Sequence, residues 1–118
     1  SMATPPLGPG QQLFKHIRDN KVIEIEDFIA KNCTELGSTN EMNNDFLLNT
    51  YIEDGLTALK YAVSKNCTEG TISALLRSGC RLDDPSNLDS IASVEIAIGN
   101  NNAELANFLL MKHYEATE

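Results

Sequence analysis

Tryptophan is absent from this 118-residue chain, and aromatic residues make up only 6% of it. The apolar share is nonetheless 42%, ordinary for a soluble globular protein, and the length suits one domain with a modest core. Positive charge is also scarce. Nine Lys and Arg face 17 Asp and Glu, a net charge of −8, with a pI near 4.6. Such a chain repels phosphate backbones and anionic lipid surfaces, so neither nucleic acid nor membrane is an expected partner. No apolar run approaches the roughly 18 residues of a membrane-spanning helix.

Other absences narrow the chemistry. The first ten residues, SMATPPLGPG, lack both the basic and the apolar regions of a secretory signal. Ser1-Met2 reads as an expression remnant, so the chain can be a piece of a longer protein. Three cysteines cannot all pair within one chain, which points to a reducing interior, intracellular and cytoplasmic. None of Cys33, Cys67 and Cys80 stands in a C-x-x-C or C…H spacing suited to zinc, and His16 and His113 lie near opposite ends. There is no glycine-rich phosphate loop, no H-E-x-x-H and no G-x-S-x-G. The carboxylates Glu24, Glu26, Asp27, Asp83 and Asp84 read as solvated charge. No catalytic residue, metal or cofactor is expected, and a thiol-dependent enzyme stands only as a weaker alternative.

What is present is helical periodicity. Leu13, Phe14 and Ile17 form one apolar stripe, and Val22, Ile25, Phe28 and Ile29 form the next. The pattern returns with Leu59, Ala62 and Val63, then Ile72, Leu75 and Leu76 up to Gly79. It returns again with Val94, Ala97 and Ile98, then Leu105, Leu109 and Leu110. Each pair of stripes is broken by an asparagine, at Asn20, Asn66 or Asn101. Asparagine is second only to glycine in tolerating the left-handed turn that ends a helix. The reading is all-α: an α-solenoid of three antiparallel helix pairs.

One pentapeptide, KNCTE, occurs twice, at residues 31–35 and 65–69. Each copy contains an N-x-T sequon, but nothing indicates a secreted chain, so glycosylation is not the preferred reading. Both copies read instead as helix endings. A lysine sits at the negative end of a helix, an asparagine turns left-handed, and a cysteine tucks back as a small hydrophobe.

The stretch DGLTALKYAVSKN, Asp54 to Asn66, resembles the ankyrin-repeat signature D-G-x-T-P-L-H-x-A-A-x-x-G. It continues into Leu75-Leu76-Arg77-Ser78-Gly79-Cys80, similar to the family's L-L-x-x-G-A. Leu13 to Cys33 resembles an N-terminal capping repeat. Val94, Ala97, Ile98, Asn101 and Leu109-Leu110 resemble a third. Ala58 stands where the motif has proline, so that helix start is less rigid, and Lys60 stands where it has the histidine of the family's histidine-to-threonine hydrogen bonding.

The resemblance implies three repeats at about 11–33, 54–80 and 89–113, after a disordered tail at 1–10. A connection at 34–53 carries about a dozen residues more than a plain ankyrin hairpin. Polar outer helices (Gln11, Gln12, Lys15; Asn102, Glu104, Asn107) suit capping repeats, so a complete short domain is expected.

The resemblance also implies a non-enzymatic scaffold that binds a protein partner in a concave groove. By position the groove candidates are Arg18 and Asp19, then Glu53, Asp54, Leu56, Ser64 and Lys65, then Gly99 and Asn100. The face is expected to be acidic and to favour a basic or mixed-charge segment. Within 34–53, Phe46, Leu47, Leu48, Tyr51 and Ile52 either fold back on the helices or anchor a partner, with Phe46 and Tyr51 the candidates for contact. The partner's identity is not readable. A monomer is expected, and the alternative is a regulatory or oligomerisation domain of a larger protein.

Overall fold

The computed structural model describes residues 6–35, 40–82 and 92–117. They form helices α1 (Pro9–Arg18), α2 (Val22–Glu35), α3 (Asn40–Asn49), α4 (Ala58–Ser64), α5 (Glu69–Ser78), α6 (Ala92–Gly99) and α7 (Ala103–Thr117). Among the described residues there is no strand, only an isolated antiparallel bridge between Glu53 and Leu56.

The helix ends follow from local chemistry. Pro9 opens α1, where its missing N–H and fixed φ are harmless, and Gln11 Oε1 accepts from Gly8 N at 3.0 Å. Thr68 caps α5, its hydroxyl accepting from Thr71 N at 3.3 Å. Asn20, Asn66 and Asn101 hold φ of 56°, 55° and 57°, and Gly79 holds 117°. At all four, two backbone bonds close the helix in the same way. Asn66 N donates to Val63 O and Cys67 N to Ala62 O, for example, and Asn101 N to Ile98 O and Asn102 N to Ala97 O.

The three tight turns make three helix pairs: α1 with α2, α4 with α5, and α6 with α7. Helix α4 packs between α1 and α6, while α2 packs on α5. The core runs through this arrangement without a break. Leu13, Phe14 and Ile17 of α1, Ala62 and Val63 of α4, Ile72 and Leu75 of α5, and Ala97 and Leu109 of the last pair are all fully buried. Truncating one of the larger of these side chains to alanine removes transfer energy and leaves a cavity, about 2–5 kcal/mol in total.

Side chains stitch successive turns together. Asn20 Oδ1 accepts from Thr71 Oγ1 at 2.6 Å, Thr68 N at 3.2 Å and Thr68 Oγ1 at 3.3 Å. Asn102 Nδ2 donates to Asn66 Oδ1 at 3.1 Å, and Asn100 Nδ2 to Ser64 O at 3.1 Å.

The structure corrects three expectations. The range 1–10 is not all tail, because α1 begins at Pro9, and Gly10 is buried with its backbone against the Tyr51 ring. The range 34–53 is not a plain loop. It contains the end of α2 and all of α3, which packs on α2 and α4. Third, Asn32 does not end a helix. It lies inside α2, and its Nδ2 donates to Asn44 Oδ1 of α3 at 2.6 Å. Only in the second KNCTE copy does the asparagine itself end a helix. The tail residues 1–5, Asp83, Asp84, the start of the third pair at 89–91 and the side chain of Cys33 lie outside the described residues.

Candidate interaction surface

Several of the groove candidates meet at one residue, Tyr61 of α4. Its ring lies in the core, with only 2% of the residue exposed. There it packs on Phe14 with ring centroids 4.8 Å apart. Arg18, the last residue of α1, donates from Nη1 to the Tyr61 hydroxyl at 3.5 Å. Lys65, which caps α4, places Nζ 5.4 Å from the Tyr61 ring centroid. Ser64 Oγ donates to Tyr61 O at 2.7 Å, and its own carbonyl receives Asn100. Contact with the Tyr61 hydroxyl raises the Arg18 guanidinium above its ordinary value, and the nearby Asp19 and Glu53 add to this.

The remaining candidates divide. Asp54 and Gly55 are the two central residues of a tight hairpin, at φ 53° and 77°. Glu53 and Leu56 close it with mutual bonds of 3.1 and 2.9 Å. Aspartate-glycine is the sequence that turn demands, since both residues need positive φ. Leu56 is half-buried and packs against the core, so little of it is presented. Asp19 and Gly99 are exposed, and Gly99 has open space where a side chain would be. The surface is mixed in sign: two cations converge on Tyr61 and carboxylates flank them. An acidic face was the expectation, but Arg18 and Lys65 are the residues that reach the aromatic. Tyr61 itself was not among the candidates. A large aromatic between two alanines of a short helix was the signal for it.

The 34–53 segment also divides. Leu48 is buried and Leu47 is partly buried. The Tyr51 ring meets Phe14 edge-on at 5.3 Å and covers Gly10. Its hydroxyl donates to Glu53 Oε1 at 3.0 Å. Burial first, then this bond to a carboxylate, pushes the Tyr51 hydroxyl above its ordinary pKa. These three side chains fold back. Phe46 and Ile52 do not, being 53% and 55% exposed. Beside Phe46 lies an open groove of about 540 Å³, bounded also by Tyr51, Leu47 and the start of α1.

Cys67 and Cys80 are buried and unpaired, each directly after a left-handed helix-ending residue. Cys67 Sγ donates to Ile17 O at 3.1 Å, and Cys80 Sγ lies 3.7 Å from Leu48 O. Desolvation pushes their thiols up to about 11 and about 12, the opposite of what a nucleophile or metal ligand needs. Among the described residues no three His, Cys, Asp or Glu side chains are grouped as a metal ion requires. No described helix is long and apolar enough to cross a membrane.

Comparison with protein-family models, with curated proteins and with solved structures gives no match. Function must therefore be argued from the surface itself.

Proposed function

We propose that this chain is a protein-interaction module of the ankyrin type, an α-solenoid of three helix pairs. It holds a partner on the surface lined by the C-terminal ends of α1 and α4, the Asp54-Gly55 hairpin and Asn100. One observation carries the reading. Arg18, Lys65 and Ser64 are organised around one buried tyrosine, and Asn100 of the third pair donates to Ser64 O beside it. Helix pairs closed by left-handed asparagines, and an Asp-Gly hairpin ahead of α4, support the family assignment. The mixed charges suit a partner segment that itself carries both signs. Such pairing sets specificity and encounter rate more than affinity.

The test is capture of a partner by the intact chain, followed by affinity for R18E and K65E at two salt concentrations. Weakened, salt-dependent association by these variants supports the reading. Affinity unchanged by either charge reversal, and by salt, rejects it.

A second reading, oligomerisation, is favoured by α7. Met111 and Tyr114 of that helix are 63% and 72% exposed, and Ile98 of α6 is 60% exposed. Equilibrium sedimentation decides between them. A dimer that dissociates in M111K/Y114K would establish this reading, and a monomer at high concentration would remove it.

A further inference from the structure

The groove beside Phe46 has a chemistry of its own. Its wall is apolar where Phe46, Leu47 and Tyr51 face the start of α1. It shares Pro9 and Asn32 with a second cavity of about 430 Å³, whose lining includes Glu24, Asp27 and Phe28. Glu24 and Asp27 are exposed and lie one turn apart on α2. The two cavities thus adjoin, one offering aromatic surface and the other a pair of carboxylates. Phe46 sits on a helix whose neighbours Leu47 and Leu48 fold inward, and about half of it faces solvent. A half-exposed aromatic at the lip of a concave apolar wall has the makings of an anchor point.

We infer that this double groove binds an extended peptide segment carrying one large apolar side chain next to a lysine or arginine. The apolar side chain stacks against Phe46 and Tyr51, and the cation reaches Glu24 and Asp27. Charge complementarity selects this occupant. The chain carries a net charge of −8, so an acidic segment is repelled at long range while a basic one is drawn in. His16 and Lys31 also line the second cavity, which confines the local attraction to the Glu24–Asp27 edge. The inference extends the interaction-module reading, and Tyr51 joins the two surfaces: its ring lines the groove while its hydroxyl holds Glu53.

Phage display of random peptides on the intact chain tests it. Enrichment of sequences pairing a large apolar residue with Lys or Arg is expected. The enriched peptide should lose about tenfold in affinity on F46S and on E24K/D27K, and nothing on R18E. Phe46 is exposed enough that F46S should fold normally, which circular dichroism checks. Any of these results overturns the proposal: no such enrichment, enriched peptides indifferent to F46S or to E24K/D27K, or self-association of the free chain that F46S abolishes. Peptides lost on R18E but not on F46S would also overturn it, while leaving the Tyr61 surface as the binding face. Failure of R18E and K65E to affect a partner would instead reject that face and leave the groove standing.

Discussion

Three asparagines with one backbone conformation make a controlled experiment. Asn20, Asn66 and Asn101 differ by no more than 2° in φ, so a glycine at any of them meets the same left-handed requirement. The side chains differ. Asn20 Oδ1 receives two hydroxyls and an amide, and one of the hydroxyls belongs to Thr71, which is fully buried. Asn66 Oδ1 receives Asn102, and Asn101 is exposed.

In N101G the backbone gains ease while the unfolded chain gains freedom, a balance within about 0.5 kcal/mol of zero. N20G has the same balance and additionally strands the Thr71 hydroxyl, for which about 1–3 kcal/mol is lost. Thr71 stands in the first turn of α5, where no earlier carbonyl of that helix lies within reach of its hydroxyl, so the expected loss is about 2 kcal/mol. The bonds to Thr68 are exposed and add little. Urea denaturation followed by far-ultraviolet circular dichroism reads the difference, provided the m-values agree. N20G in a T71V background should show a coupling of about 2 kcal/mol, because the stranded donor is gone. If N20G and N101G have the same midpoint, the inter-pair stitching contributes nothing and the reasoning fails.

Gly10→Ala normally stabilises a helix by up to about 1 kcal/mol, but here the added methyl runs into the Tyr51 ring. The expected outcome is a loss of about 1–3 kcal/mol in thermal or urea unfolding, and any gain would show that the Tyr51 ring is not packed on α1. Burial raises the Cys67 and Cys80 thiols from an ordinary 9.0 to about 11 and about 12, so the folded state holds the protons more tightly than the unfolded one. Their contribution is complete below pH 9 and is lost as pH rises through about 11 and about 12. A C67A/C80A variant should lack this alkaline decline. In a C33S background both thiols should resist a thiol reagent at pH 8 until urea unfolds the chain, and rapid labelling of the native protein would contradict their burial.

Legibility of the sequence tracked how local the cause was. The asparagine turns and the tucked Cys67 depend on a few neighbouring residues, so the local sequence alone reveals them. Helix α3 was hidden because NEMNNDFLLN has, apart from Met42, apolar residues only at its end, so no stripe announces it. Its position depends on distant partners instead: Asn32 donates to Asn44, Asn49 donates to Gly79 O, and Tyr51 just beyond the helix covers Gly10. The role of Tyr61 was hidden for the same reason. Arg18 lies 43 residues away in sequence from the tyrosine that orders it.

The two KNCTE copies show that difference within one pentapeptide, and alanine separates them. At Asn66 the backbone is left-handed, where a Cβ without a local hydrogen bond is disfavoured by about 1–2 kcal/mol. N66A also removes the acceptor of Asn102, which caps Leu105 N with its own oxygen. A loss of about 1.5–2.5 kcal/mol follows. At Asn32 the backbone is helical, and alanine is the better helix former by about 0.6 kcal/mol. Against that stands one bond to Asn44, with a net contribution of about 1 kcal/mol. N32A should therefore fall within about 0.5 kcal/mol of the parent chain. Identical residues, identical neighbours and the same substitution should give a difference above 1 kcal/mol between the two sites, read from paired urea midpoints. Equal losses would mean that the sequence copies share one conformation after all. A larger loss at Asn32 would mean that α3 is fastened mainly through that single asparagine.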